Sequence, residues 1–315
     1  MKKFLIALLT IGIILLIAGG IMFGVSFSKA KINTTQLNRT ENVEEAFSNI
    51  DINTAITNIE FKVSEDSKVK VELQEVENLA HEVKVENNTL KVIQKDTREW
   101  YEKIFSFNLG FMKATVYLPA RTYGDLNIDS STGYVKLPKG FTFNSITLDL
   151  STGDMYISSN VVNTLKINSS TGDANLSDMT AKNISLDAST GRANFTNVTV
   201  EETIKLDLST GKTIFENVTC KNYDHESSTG KVSLKNVIAE EEMMIETSTG
   251  DVIFEDCDAQ RLTIKVTTGD VKGTLLTAKI FSVRTDTGKV NVPESTTGGL
   301  CKIDTDTGNV SIKIK

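Results

Sequence analysis

Apolar and polar residues alternate along most of this chain, and the alternation returns at a fixed interval. Thr-Gly recurs at Gly133, Gly153, Gly172, Gly191, Gly211, Gly230, Gly250, Gly269, Gly288 and Gly308, always 19 or 20 residues apart. Seven residues before each glycine stand Leu126, Ile146, Leu165, Ile184, Ile204, Tyr223, Met243, Leu262, Phe281 and Cys301. Five before stand Ile128, Leu148, Ile167, Leu186, Leu206, His225, Ile245, Ile264, Val283 and Ile303. Positions +2 and +4 are apolar in most copies, as in Val135 and Leu137, and +7 and +9 follow suit, as in Val198 and Val200. Side chains that alternate by two belong to strands with one buried face. Each repeat therefore holds about three short strands. The buried parity switches at Ser-Thr-Gly, which places a corner there, where glycine permits a positive φ. A unit this short cannot bury its apolar face alone, so units must stack. The predicted fold is all-β, a parallel β-solenoid (β-helix or β-roll) of about ten coils over residues 126–315. Each strand pairs with its equivalent one coil on, about 4.8 Å away, giving a rod on the order of 50 Å long.

The register extends one coil upstream if Ala114 replaces the glycine. Phe107, Leu109 and Phe111 then face inward with Val116 and Leu118, and Pro119 falls at +5, as do Pro138 and Pro293. Further back, Ile50/Ile52, Ile59/Phe61/Val63, Val69/Val71/Leu73, Val83/Val85 and Leu90/Val92 alternate, and Asn87-Asn88 marks a tight turn. Residues 47–125 read as an irregular N-terminal β cap of degenerate coils covering one open edge. At the other end the alternating lysines of Lys313 and Lys315 read as a charged outermost edge.

Met1-Lys2-Lys3 precedes an uncharged run from Phe4 to Phe27. About twenty apolar residues span a bilayer as a helix, whereas the core of a signal peptide is about 7–15 residues. The run reads as one transmembrane anchor at 4–27 behind a cytoplasmic tail at 1–3. Ser28-Lys29-Ala30 also offers a cleavage site, so a signal peptide ending at Ala30 is the alternative. Lys2 and Lys3 favour a cytoplasmic N-terminus. The expected location is the cell membrane, single-pass, with the C-terminal domain extracytoplasmic. Residues 28–46 are polar and read as a tether.

Val116-Tyr117-Leu118-Pro119-Ala120, Leu126-Asn127-Ile128 and the Ser-Thr-Gly repeats resemble the bacterial "putative adhesin" family of unknown function, which includes LiaG-like membrane-anchored proteins. The resemblance covers residues 47–315. It implies a solenoid and, in LiaG-like members, a short cytoplasmic tail, one membrane helix and an outer domain linked to envelope stress. It supplies no ligand-binding motif.

Composition narrows the chemistry. With 34 Lys and Arg against 41 Asp and Glu the formal net charge is −7, and no basic block offers a footprint for nucleic acid. Two histidines and three cysteines exclude a zinc ribbon and a disulfide-dense scaffold. Cys220, Cys257 and Cys301 fall in different inward columns and read as small core residues. Position −4 forms an outward acidic column of Asp129, Asp149, Asp187, Asp207, Glu226 and Glu246, interrupted by Asn168; Lys265 and Arg284 reverse its sign and Asp304 resumes it. Stacked like charges repel, and Ca²⁺ is the cation that could relieve them. The plainer reading is a solvated face, so Ca²⁺ is the one candidate ligand and no other cofactor is expected. Asp286-Thr287-Gly288 and Asp306-Thr307-Gly308 match the Asp-Thr-Gly of aspartic proteases, but as repeat variants one coil apart rather than from two lobes. Asp178, Asn197, Asn217, Asn236 and Asp256 share position +6 and read as a corner ladder of side chains. Trp100, Tyr101, Phe105, Phe107 and Phe111 form the densest aromatic stretch, read as cap packing with an exposed binding patch as the alternative.

No insertion longer than one residue interrupts the ten coils, so no loops enclose a pocket. No Gly-x-Ser-x-Gly, HExxH or Walker motif is present. The expectation is a non-enzymatic, membrane-anchored extracytoplasmic protein with no catalytic residue and no small-molecule substrate. It acts as a cell-envelope binding or scaffold protein, or a stress-response accessory, meeting a cell-wall polymer, lipid headgroups or a membrane protein. The alternative is a surface adhesin or a released binding protein.

Overall fold

The computed structural model describes residues 36–98 and 112–315 and, of the first 35, only Gly12, Gly19 and Gly20. The anchor expected at 4–27, apart from those glycines, and the aromatic stretch from Trp100 to Phe111 lie outside the described residues. Among the described residues no helix is long and apolar enough to cross a membrane. The first strands are β1 (Gln36–Val43), β2 (Asn49–Ile56), β3 (Asn58–Val63), β4 (Val69–Val76), β5 (His81–Glu86), β6 (Thr89–Gln94) and β7 (Lys113–Leu118). The repeats supply β8 (Thr122–Thr132), β9 (Val135–Leu137), β10 (Thr142–Thr152), β11 (Met155–Ile157), β12 (Asn160–Thr171), β13 (Ala174–Thr229), β14 (Val232–Thr249) and β15 (Val252–Thr268). The last are β16 (Val271–Leu275), β17 (Lys279–Thr287), β18 (Val290–Asn291), β19 (Gly299–Thr307) and β20 (Val310–Ile314). One 3-10 turn, Glu77–Leu79, is the only helical element within 36–98 and 112–315.

The expected parallel β-solenoid with a transmembrane helix is not what these strands form. They join in one 20-stranded mixed sheet, rolled into a nearly closed, barrel-like wall around one core that runs from Phe47 to Ile312. Three findings overturn the simple stack.

The first is antiparallel pairing, of β1 with β4, β4 with β7, and β5 with β6. A short connection enforces the last of these pairings, and another turns the chain from β3 into β4. Asn87 and Asn88, both left-handed at φ 51° and 60°, join β5 to β6 directly. Between β3 and β4, Asp66 accepts hydrogen bonds from the Ser64 hydroxyl and the Lys68 amide. Residues 36–43, taken for tether, supply β1.

The second is the layer beneath the first Thr-Gly repeat. It is not 112–119, the described part of the upstream coil, but β2 and β3, with Ile50 opposite Leu126, Ile52 opposite Ile128 and Ile59 opposite Val135. β7 lies outside β3. Thr57 takes the glycine position, its carbonyl facing Gly133.

The third is a reversal of order among the last repeats. β15 pairs with β19, and β19 with β17; β16 pairs with β20, and β20 with β18. Residues 299–311 therefore lie between 252–271 and 279–291, and of the last strand only the stretch past Ser311, with Lys313, has no strand paired outside it among the described residues. Charge favours the order. In chain order the outward column would run Glu246, Lys265, Arg284, Asp304, with two cations adjacent. In space it runs Glu246, Lys265, Asp304, Arg284, alternating in sign.

Within the repeats, equivalent strands pair in parallel and in register, as Ile146 with Leu126 and with Leu165. The glycines are fixed by closeness as well as by φ. At Gly230, φ is 157° and a Cβ would sit 1.5 Å from the Gly211 carbonyl oxygen. No side chain fits between backbones that near.

Candidate functional site

Corner glycine, in-register pairing and strand parity together point position −4 outward in every layer. Asp129, Asp149, Asp187, Asp207 and Glu226 are exposed, and Glu246 is half-buried. The column is not uniformly anionic. The Asn168 amide donates to Asp149, and Lys265 pairs with Glu246, which raises the Lys265 pKa by hydrogen bonding and charge. Among the described residues no group of three or more His, Cys, Asp or Glu is placed to hold a metal ion. In-register stacking explains this: the carboxylates project side by side, one layer apart, instead of converging. The upper part of the column lines a shallow trough of about 450 Å³ with Asp207, Glu226, Glu246, Lys265, Asp304 and Asp306, together with Ser228, Ser248 and Thr267. Asp306 is one wall of this trough, whereas Asp286, one layer out, is held by Arg284 at 2.9 Å. The two Asp-Thr-Gly segments thus form no facing pair.

The corners carry ladders. Asn197 donates to Asp178 at 2.8 Å, Asn217 to Asn197 at 2.9 Å and Asn236 to Asn217 at 3.0 Å. All of these residues, and Asp256, are left-handed, with φ between 51° and 55°. Lys139 pairs with Asp178 at one end of the ladder and Lys315 with Asp256 at the other. A second ladder follows the glycines: the Asp173 amide donates to Asp154 and the Arg192 amide to Asp173, both at 2.9 Å. These bonds leave the corners ordered but chemically spent.

Inside, the three cysteines are free and buried, and burial pushes their thiols up to about 12, 11 and 12 at Cys220, Cys257 and Cys301. They are inert as nucleophiles. His225 is fully buried, and burial lowers its pKa to about 4. Its Nε2 meets the Ser227 hydroxyl at 3.2 Å, while its Nδ1 and the nearby Tyr223 hydroxyl have no partner.

Two groupings were not legible from sequence. The Thr57 hydroxyl lies 3.0 Å from His81 Nε2, and His81 Nδ1 lies 2.8 Å from Glu75 Oε2, whose other oxygen takes Arg39 Nε at 3.0 Å. A hydroxyl, an imidazole and a carboxylate in line is the arrangement of an activated nucleophile. Here Thr57 is 1% exposed and His81 3%, so no substrate reaches them. The chain of bonds instead ties β1, β4 and β5 to the corner between β2 and β3. Burial, only partly offset by Glu75, lowers the His81 pKa. On the outer face Lys70 Nζ stands 4.2 Å from the Tyr117 ring centre, and Lys136 Nζ 4.9 Å from that of Tyr134 and 5.7 Å from that of Tyr156. The Lys70–Tyr117 contact crosses strands distant in sequence, so no periodicity announces it, whereas Lys136 and Tyr156 hold the same position of neighbouring repeats.

Several solved structures are similar to the chain. A "putative adhesin" from Parabacteroides distasonis superposes with a TM-score of 0.50 at 13% identity, over 89% of this chain and 97% of that one. A "putative lipid binding protein" from the same organism gives 0.48 at 15%, over 85% and 96%. A "putative adhesin" from Bacteroides fragilis gives 0.40 at 16%, over 89% and 97%. At such identities the likeness concerns the fold. No curated protein matches the chain. The Toastrack DUF4097 family model matches residues 47–211 and 202–315, which takes in the antiparallel end, every Thr-Gly repeat and the reordered last layers. The chain belongs to the Toastrack DUF4097 family.

Proposed function

We propose that the chain is a membrane-anchored, extracytoplasmic β-repeat protein without enzymatic activity that binds a cell-wall polymer along its outward face. The trough between Asp207 and Asp306 carries the reading. It is open and elongated, and it offers carboxylates and hydroxyls in rows to a polymer bearing hydroxyl and ammonium groups. The same negative face, on a chain of net charge −7, disfavours anionic lipid headgroups. The uncharged run at 4–27 behind Lys2 and Lys3 supports the anchor and its direction. The Parabacteroides distasonis structure is described as a "putative adhesin", and adhesion enters here as part of the proposal.

Sedimentation tests it. Residues 31–315 are mixed with purified sacculi or with anionic lipid vesicles, with Ca²⁺ or with a chelator. Sedimentation with sacculi, unchanged by the chelator and lowered severalfold by Glu226→Gln with Glu246→Gln, is the expected result. Failure to sediment with sacculi overturns the proposal. Sedimentation with vesicles instead moves the ligand to lipid, and loss of binding in chelator restores a role for Ca²⁺ on the acidic column.

A further inference from the structure

The two ends of the rolled sheet are finished differently. At the N-terminal end the antiparallel strands β1, β4, β5 and β6 close over the interior, and the edges left free carry charge, with Arg39 and Glu41 on β1 and Glu82, Lys84 and Glu86 on β5. At the other end, among the described residues, β17 pairs with β19 alone and β18 with β20 alone. One whole row of backbone donors and acceptors is unmatched. The side chains of this layer are uncovered too. Val290 is 46% exposed, whereas Val271 and Val310, its counterparts in the two layers beneath, are at 0%. Phe281 and Val283 are half-buried, whereas Leu262, Cys301, Ile264 and Ile303 are buried.

Along β17 few of the devices that normally blunt such an edge are present. β17 is nine residues long, with no proline and no register shift against β19. Its one inward charge, Lys279, is buried and tied to Asp258 at 2.5 Å. The outward Arg284 and Asp286 neutralise each other.

We propose that this edge joins two copies of the chain, β17 pairing antiparallel with β17 of the second copy about a two-fold axis through Ser282. The sequence of the strand selects a second copy over a foreign strand, because about Ser282 it complements itself. On the inward face Phe281 of each copy lies opposite Val283 of the other, and Lys279 lies opposite Thr285. On the outward face Ile280 lies opposite Arg284. No like charges meet, whereas an axis through Arg284 would set two guanidiniums face to face. Phe281 and Val283 each gain an apolar partner, Ile280 packs against the stem of Arg284, and the contact is isologous and closed, which yields a dimer and no filament.

Cysteine scanning of the full-length chain in its membrane tests both the pairing and its register. Residues opposite one another in an antiparallel pair have Cβ atoms about 4.5–5.5 Å apart, within reach of a disulfide after slight adjustment. The three native cysteines are buried, so the unmodified chain stays monomeric on a non-reducing gel after mild oxidation. Ser282→Cys is expected to run mostly as a covalent dimer. Ile280→Cys and Arg284→Cys are expected to cross-link with each other when co-expressed and neither with itself. Lys302→Cys, one layer inside, is expected to stay monomeric. All of these positions are exposed, so the fold is not at risk. A monomeric Ser282→Cys overturns the proposal, as does a Lys302→Cys dimer of equal yield. Self-cross-linking of Arg284→Cys with none at Ser282→Cys overturns the register.

Discussion

His225 stands where nine other repeats carry Ile, Leu or Val. Parity alone placed it inward, and there it is, at 0% exposure with one ring nitrogen unpartnered. Burial lowers its pKa to about 4, below the ordinary 6.5. Below pH 6.5 the unfolded chain therefore binds a proton that the folded chain refuses. Stability is full above pH 6.5, falls as the pH drops toward 4 and levels off below that. Between pH 7 and pH 5 the loss from this residue is about 2 kcal/mol. Urea midpoints at the two pH values are expected to converge in His225→Leu, apart from a residual slope of the same sign from His81. At Gly230 the effect is steric: Gly230→Ala drives a Cβ into the Gly211 carbonyl and is expected to cost about 3 kcal/mol or more, measurable as a lowered melting temperature. The repeat made both residues legible. The bonds among Thr57, Glu75 and His81 were not, since they depend on an antiparallel fold-back that has no period.

In the strands and corners, the ladder of Asn197, Asn217 and Asn236 combines two demands, a left-handed backbone and a side-chain amide that both donates and accepts. They can be separated. Asn217→Gly keeps the backbone and loses the amide, whereas Asn217→Ala loses both. We expect denaturant midpoints in the order Asn, Gly, Ala, with Ala lower than Asn by about 2 kcal/mol. The order of the last repeats is testable by hydrogen exchange. Amides of 301–305, paired on both sides, are expected to exchange far more slowly than those of 281–285, although chain order alone would put 281–285 in the interior. Asp304→Lys, which sets three cations in a row with Lys265 and Arg284, is expected to destabilise this end by about 1 kcal/mol, and less at high salt. The strands themselves were readable from alternation. Their order was not, because repeats in one register are interchangeable and chain order is only the default. The signal that could have decided it was the sign of the charge at −4, read as an ordering rule instead of a binding column. The tether likewise hid β1, whose pattern is too polar to betray a strand that pairs at an edge.

Taken whole, the molecule is acidic, closed by antiparallel strands at one end and open at the other. A ligand held mainly by charge along the outward face should release with salt, so sedimentation with sacculi is expected to fall steadily as ionic strength rises from about 0.05 to 0.5 M, where the screening length shrinks below one layer spacing. The tucked position of residues 299–311 has a bearing on how such a chain is made. Layers as far as Leu275 can settle in sequence as residues emerge. β17 and β18 emerge next and find no seat, because the surface they rest on has yet to arrive. They lock down only after 299–311 has slipped in beneath them. The outermost layer is thus a seal set by residues delivered after it, and a chain halted before residue 299 shows its loose tail to any protease nearby.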